Sequence, residues 1–294
     1  MTDKISVIDL GALSKPANTL IKKVSDAVGG LFAPVQTVRM AKAEAAARLI
    51  GAQSEIDVSE IQRRAMHRLV EEESKRQTNM EAIACAAVPL LIDESSPERV
   101  DDDWLTNFFD KARIVSNEEM QQLWSAVLAG EANAPGAFSR QTVNLLGSMD
   151  KGDAQLFSAL CGFMWGIGQM TPLVIDPQDE IYTKQGINFE TLLHLQSLGL
   201  VELNTVTGFS RTGMITPIAA MHFGRWLNLV PASGDNHLKI GLALFTRSGK
   251  ELARVCGAVA VPGFFEYTVQ KWKEAGVGVS RNEAAEAVYG RVDT

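Results

Sequence analysis

Helical periodicity runs through the first half of this chain and restricts that half to a mainly α-helical fold. Apolar residues recur there every three or four positions, in runs bounded by residues that start or stop helices. The clearest run follows Ser116, where Met120 and Trp124 share one helical face. Gly130 ends that run. We therefore expect multi-helix N-terminal and central regions.

Residues 1–34 are predicted to form an amphipathic N-terminal arm. Leu20, Ile21 and Val24 recur at helical spacing, and the pair Gly29-Gly30 is a typical stop signal. Two interpretations of this arm remain open. It docks on the protein's own core or on a sister subunit, or residues 5–34 lie on a membrane surface.

Residues 35–92 are predicted to form a long charged helical region. The run 35–50 is rich in alanine, and a capping pattern begins at Asp57, with Glu60 three residues later. Eight basic residues balance eight acidic residues between Val35 and Ile92. This balance indicates a solvated helical arm held by salt bridges, and it argues against a surface for nucleic acid. Pro89 is expected to end or kink the last helix.

Residues 93–150 are predicted to form a central helical domain that contains a distinctive loop, EANAPGAFSR. A structural interpretation makes it a turn at Pro135-Gly136, followed by an N-cap serine. A functional interpretation makes part of the loop a contact site for a ligand or partner. The candidate contact residues are Glu131, Phe138, Ser139 and Arg140.

Residues 151–275 are predicted to form a winged-helix-like α+β domain, followed by a C-terminal tail at 276–294. The helix Asn188–Leu198 is followed by the strand-like LGLVEL, by candidate strands at Met214-Ile215 and Leu238–Phe245, and by a helix from Ser248. The predicted fold class is therefore mainly α, with a C-terminal winged-helix-like module. The glycines of CGFMWGIGQM are interpreted as sites of close helix packing.

A winged module could contact either DNA or protein. Contact with DNA would require basic side chains to gather on one face, and the candidates are Arg211, Arg225, Lys239, Arg247, Lys250 and Arg254. The helix Asn188–Leu198 contains no lysine or arginine, and the net charge of the chain is -7. Protein contact is therefore favoured over nucleic acid.

No catalytic motif, cofactor or metal site is predicted. His67 and Glu71 are four residues apart, which suits an ordinary exposed helix pair better than a metal site. The cysteines Cys85, Cys161 and Cys256 lie far apart and are interpreted as small buried apolar residues of a reducing cytoplasm. The chain has neither a long apolar run nor a secretion signal, so we expect it in the cytoplasm.

The stretch from Asp103 to Leu160 resembles a bacterial domain-of-unknown-function family related to the abortive-infection alpha proteins. The resemblance rests on Trp104 with Phe108-Phe109 and on the segments SNEEMQQLW, LAGEANAPGAFSRQTV and DAQLF. The upstream segment KAEAAARLIGAQSEIDVSEIQRRAMHRLVEEESKRQTNMEAI and the downstream LQSLGLVEL are also similar to that family. The resemblance implies a role in defence against phage, and it supplies no catalytic residue.

The leading functional hypothesis is a non-enzymatic helical scaffold or sensor that works through protein–protein contact, as a homo-oligomer, in phage defence. The alternative is a DNA-binding regulator that uses the winged module. A third hypothesis is an effector that acts on membranes through residues 5–34.

Overall fold

The structure is a computed structural model that describes residues 13–28, 60–213, 217–231, 237–283 and 285. The chain divides into two compact units, Met1–Gly147 and Ser148–Thr294. Several predicted features lie outside the described residues. They are the stop at Gly29-Gly30, the alanine-rich run 35–50, the capping pattern from Asp57 and the strand at Met214-Ile215.

The described part of the first unit is helical. Its helices are α1 (Lys15–Val28), α2 (Glu60–Ala87), α3 (Asp102–Ala112), α4 (Glu118–Asn133) and α5 (Arg140–Leu146). Two short 3-10 turns lie between α2 and α3, at Val88–Leu90 and Pro97–Arg99. Pro89 lies in the first of these turns, so α2 ends just before the proline that was predicted to end it.

Side-chain caps explain where three of these helices begin. The side chains of Asp101, Asn117 and Ser139 each accept a hydrogen bond from a backbone N–H group in the first turn of α3, α4 and α5, respectively. Ser139 was predicted as a cap from the sequence. For α4 the cap is Asn117, the residue after Ser116.

Aromatic rings from α3 and α4 form the centre of the first unit. The ring of Phe108 lies 5.1 Å from that of Trp104 and 5.0 Å from that of Trp124, measured between centroids. The C-terminal part of α2 packs on α4, where Ser125 Oγ donates a hydrogen bond to the Ile83 carbonyl oxygen at 2.9 Å. The C-terminal part of α2 therefore belongs to the core of this unit.

The apolar face of α1 is buried within the first unit. Lys23 on this helix forms an ion pair with Asp102 of α3, with 3.2 Å between Nζ and Oδ1. No helix in the described ranges is both long and apolar enough to cross a membrane. The buried residues of α1 are Ala17, Leu20, Ile21 and Val24.

The second unit mixes helices with short strands. Its described helices are α6 (Lys151–Cys161), α7 (Glu180–Thr183), α8 (Phe189–Ser197), α9 (Arg247–Ala253) and α10 (Phe264–Glu274). Its described strands are β1 (Met164–Ile167), β2 (Gln169–Pro172), β3 (Val201–Leu203), β4 (Phe209–Thr212), β5 (Ile218–His222), β6 (Arg225–Val230), β7 (His237–Gly241), β8 (Ala243–Phe245) and β9 (Gly278–Arg281).

Five of these strands form one antiparallel sheet, in the order β2-β1-β5-β6-β9. The β5–β6 hairpin turns at Phe223 and Gly224, which both have positive φ (43° and 80°), as a tight hairpin turn requires. The remaining strands pair as β3 with β8 and β4 with β7.

The predicted fold class is wrong, because this half of the protein is built around a multi-strand antiparallel sheet and is not a winged helix. The predicted helix Asn188–Leu198 is present as α8, and LGLVEL leads into β3. However, β3 pairs with β8, which lies about forty residues later in the chain. Within the five-stranded sheet, β1 pairs with β5, which is more than fifty residues later. The protein is therefore a mixed α+β protein.

The prediction of close helix packing at the glycines of CGFMWGIGQM is also wrong. This segment turns from the end of α6 into the β1–β2 hairpin. Gly168 forms the turn with a φ of 70°, which favours glycine over other residues. Gly166 lies in the middle of β1, opposite Met170. The run PLVID that follows, which looks like a strand in the sequence, contributes only Pro172 to β2.

Candidate functional site

The loop from Glu131 to Arg140 is held closed by the carboxylate of Glu131, which is only 3% exposed. Its Oε1 accepts a hydrogen bond from the Gly136 backbone N–H at 2.6 Å, and its Oε2 accepts one from the Phe138 N–H at 2.9 Å. Hydrogen bonds to an ionised oxygen are among the stronger ones in proteins. The Glu131 side chain therefore fixes the shape of its own loop.

The other candidate residues of this loop have different environments. Phe138 is buried, and its carbonyl oxygen accepts a hydrogen bond from Trp104 Nε1 at 2.8 Å. Arg140 is the exposed member of the set, and its Nη2 lies 3.3 Å from Asp101 Oδ1 and 3.2 Å from Asp103 Oδ2. The structure thus brings Arg140 to two carboxylates, while Glu131 and Phe138 lie inside.

The strands β4 and β7 separate two of the residues proposed for nucleic acid. Ser210 pairs with Lys239, and the next pair is Arg211 with Leu238. Paired residues share a face and neighbouring pairs alternate, so Arg211 and Lys239 point to opposite sides of this ladder. Burial lowers the pKa of Arg211, which lies on the side of the buried Leu238.

Two other basic candidates are already paired with acidic side chains. Arg225 Nη1 lies 2.8 Å from Glu266 Oε1, and the Arg225 guanidinium lies over the ring of Phe265 at 3.4 Å. Arg247 Nε lies 2.8 Å from Glu251 Oε1. These carboxylates reduce the positive potential available to a phosphate backbone. A third basic candidate, Lys250, contacts an uncharged side chain, with its Nζ 3.2 Å from Gln169 Oε1.

The N-terminal half of α2 is the most exposed helical surface in the described ranges. Every residue from 60 to 73 is exposed, a length of about 21 Å at 1.5 Å per residue. Three apolar side chains lie together on this surface, with exposed fractions of 46% for Met66, 56% for Leu69 and 49% for Val70. We call Met66, Leu69 and Val70 the α2 seam.

The α2 seam repeats the pattern that the same helix buries in the first unit. Counting fourteen residues on from Met66, Leu69 and Val70 leads to Met80, Ile83 and Ala84, which are all buried. Fourteen residues at 100° each fall about 40° short of four full turns, so the two sets lie on nearly the same face. Polar residues 71–79 separate the two sets, so the helix carries one exposed and one buried apolar patch on nearly the same side.

The charges around the seam change sign along the helix. The three residues Arg63, Arg64 and Arg68 are basic, and the three residues 71–73 are glutamates. An exposed ion pair within the helix links the two sets, with Arg68 Nε 3.5 Å from Glu72 Oε1, while Arg63 and Arg64 pair with Glu60. Such exposed pairs each contribute at most about 1 kcal/mol. The helix therefore presents a basic segment and an acidic segment on either side of Leu69.

His67 and Glu71 form an exposed pair on the same helix, as expected from their spacing. Their Nδ1 and Oε2 atoms are 3.5 Å apart. Within the described ranges, no group of three or more histidine, cysteine, aspartate or glutamate side chains is arranged to hold a metal ion.

His222 at the end of β5 is a buried histidine that the sequence did not single out. Its Nδ1 donates a hydrogen bond to the Met164 carbonyl oxygen at 2.7 Å, since a carbonyl can only accept. Its ring stacks on Trp165 with 5.1 Å between centroids. Burial lowers the pKa of His222, so the ring is neutral at neutral pH. Its Nε2 has no hydrogen-bond partner among the described residues.

Comparison with known proteins identifies the family. Residues 63–268 match the family described as "Protein of unknown function (DUF2806)". This chain belongs to DUF2806. The match to DUF2806 includes the α2 seam, the Glu131 loop and His222. No curated protein and no solved structure was found to match the chain.

Membership of DUF2806 gives the chain a family without assigning it an activity. The abortive-infection relationship implied by the sequence resemblance is not part of the DUF2806 description. A function for this DUF2806 protein therefore has to be argued from its own surfaces, of which the α2 seam is the most distinctive.

Proposed function

We propose that this DUF2806 protein is a non-enzymatic helical scaffold that acts through protein–protein contact and pairs first with a second copy of itself. The observation that supports the proposal is the α2 seam of Met66, Leu69 and Val70, an exposed apolar patch on a helix whose other end is buried in the first unit. Apolar side chains in a continuous patch on a helix are typical of helix-to-helix association.

The order of charges supports a second copy in antiparallel orientation. If two α2 helices paired in parallel, the basic segment at 63–68 would lie beside its own copy, and so would the glutamates at 71–73. Antiparallel pairing about a two-fold axis near Leu69 instead brings the basic segment of each copy towards the glutamates of the other. Opposite charges across an interface favour this register over the repulsive one.

The experiment is sedimentation velocity of the full chain over a wide concentration range. The test variant is Met66→Glu with Leu69→Glu, which removes two apolar side chains from each copy and adds charge. Full burial of such a side chain contributes about 1.5–3 kcal/mol, so the double change weakens association at least about a hundredfold. The matched control is Val206→Glu, at a turn residue that is 91% exposed in the second unit.

We expect the unchanged chain and Val206→Glu to dimerise alike and the double variant to stay monomeric. A monomeric unchanged chain at the highest concentration would contradict self-pairing. A dimer that survives the double change with unchanged affinity would contradict the role of the seam. The orientation is tested by measuring the distance between spin labels on the two copies, placed at residue 61 in one sample and at residue 68 in another. Only antiparallel pairing gives a longer distance between the labels at 61 than between those at 68.

We further propose that the scaffold serves in bacterial defence against phage. The support for this finer proposal is the resemblance of residues 103–160 to a family related to the abortive-infection alpha proteins. The experiment compares phage plating on host cells that carry the gene, lack it, or carry the Met66→Glu, Leu69→Glu variant. Protection by the unchanged gene alone is expected, and equal plating on all three strains would refute the role in defence.

A further inference from the structure

Two of the three cysteines, which lie far apart in the sequence, meet in the second unit. Cys161 is the last residue of α6, and Cys256 follows α9. The two thiols lie close enough for each to shift the pKa of the other. Both cysteines are free, so the contact is between two thiols and not across a disulfide.

Contacts on both sides of Cys161 hold the segment after α9 against the end of α6. Ser158 Oγ donates a hydrogen bond to the Cys256 carbonyl oxygen at 3.1 Å. The Val261 backbone N–H donates to the Gly162 carbonyl oxygen at 3.3 Å. A Cβ atom on Gly162 would lie 2.7 Å from the Val259 carbonyl oxygen, so the two segments approach as closely as glycine allows. The meeting of the thiols is therefore fixed by the backbone around them.

The two thiols differ in accessibility and acidity. Cys161 is fully buried, and burial raises its pKa. Cys256 is half-buried, and the hydrogen bond from Cys161 lowers its pKa. The thiolate is the reactive form of cysteine, so Cys256 is the more nucleophilic of the pair.

The third cysteine provides a contrast within the same chain. Burial raises the pKa of Cys85 to about 11, and the charge of Glu81 adds to the effect. At neutral pH its thiolate fraction is therefore more than about a hundredfold lower than that of an ordinary thiol, whose pKa is about 8.5. Cys85 is half-buried on α2 in the first unit, so it serves as an internal reference.

We propose that Cys161 and Cys256 form a reversible redox site that a hydroperoxide oxidises to an intramolecular disulfide. The Cys256 thiolate attacks one peroxide oxygen, the O–O bond breaks, hydroxide leaves and a sulfenic acid forms at Cys256. The Cys161 sulfur then attacks the Cys256 sulfur, the S–O bond breaks and the S–S bond forms. The Cys161 proton joins the departing hydroxide as water, and the two thiols supply the two electrons that reduce the peroxide.

The disulfide would join the end of α6 to the segment after α9. Cross-links that close a long stretch of chain restrict the unfolded state strongly. We therefore expect the oxidised protein to melt several degrees higher than the reduced protein, and a thiol reductant to reverse the shift. This redox site is independent of the α2 seam, which lies in the first unit.

The experiment uses the full chain, reduced and then treated with hydrogen peroxide as the probe. Remaining thiols are alkylated in denaturant, and peptides are identified by mass spectrometry. We expect a Cys161–Cys256 disulfide, an alkylated Cys85 and a mass loss of two hydrogens. Cys85→Ser is the control and should behave like the unchanged chain. Cys161→Ser should stop at a sulfenic acid on Cys256 that dimedone traps, and Cys256→Ser should leave Cys161 alkylated.

The rate of reaction with peroxide separates a redox site from two cysteines that merely pack together. We expect Cys256 to react at least about tenfold faster than Cys85 in the folded, unchanged chain, a comparison that needs no variant to fold. Equal rates would overturn the proposal. So would recovery of both thiols in alkylated form after the peroxide is consumed, or disulfides that form through Cys85 or between chains.

Discussion

Replacing Glu131 by glutamine tests whether the buried carboxylate stabilises the loop it closes. In the unchanged protein, one oxygen of Glu131 accepts from the Gly136 N–H and the other accepts from the Phe138 N–H. Glutamine keeps one acceptor at almost the same position. Its amide group, however, presents N–H to the second backbone donor, and this donor then loses its partner.

The size of the effect follows from these two contacts. A hydrogen bond to a charged group contributes about 1.5–3 kcal/mol, and a buried donor left without a partner costs about 1–3 kcal/mol. We therefore expect Glu131→Gln to lower the free energy of unfolding by about 2 kcal/mol. For a unit of this size, that loss corresponds to a fall in melting temperature of roughly 4–8 °C.

The assay is urea unfolding at neutral pH, followed by circular dichroism, with Glu94→Gln as the matched control. Glu94 is exposed, so the same chemical change there should alter the free energy of unfolding by less than about 0.5 kcal/mol. If Glu131→Gln unfolds at the same urea concentration as Glu94→Gln, the carboxylate does not stabilise the loop and the reasoning is refuted.

Two further changes test the second unit. Burial lowers the folded-state pKa of His222 below 6.5, so below about pH 6.5 the unfolded chain takes up a proton that the folded chain does not. The free energy of unfolding should therefore fall as the pH is lowered from about 7.5 to about 5.5. The variant His222→Asn keeps a donor for the Met164 carbonyl and should make this fall with pH smaller. An equal fall in both proteins would contradict a neutral buried ring. A Cβ atom on Gly249 would lie 2.0 Å from the Leu200 carbonyl oxygen, so Gly249→Ala should cost about 3 kcal/mol or more in urea unfolding. Gly257→Ala, with open space but a φ of 67°, should cost only about 1–2 kcal/mol, and similar losses for both would show that α9 can move away.

Local features of the sequence predicted local features of the fold. The cap at Ser139, the end of α2 before Pro89 and the helix after Asn188 all depend on residues within a few positions of each other. The sequence therefore carries their signals directly. The α2 seam was not predicted, because the balanced charges of residues 35–92 indicated a solvated arm.

Long-range pairing accounts for what the sequence did not predict. Gly166 of β1 pairs with Met221 of β5, and Leu227 of β6 pairs with Arg281 of β9, across more than fifty residues in each case. The strands are three to six residues long, so each carries too little alternation to stand out on its own. The sequence also does not predict that Cys161 and Cys256 lie close together, because no spacing rule links two cysteines on different elements.

The pairing of β6 with β9 has a consequence for the order in which the nascent chain can fold. When β6 has left the ribosome it can pair with β5, but its other edge stays open until residues 278–281 have been synthesised and released. An open strand edge is a template for pairing with other chains. Cutting the chain between α10 and β9 should therefore promote aggregation of the second unit, even though the first unit has all of its described helices in place.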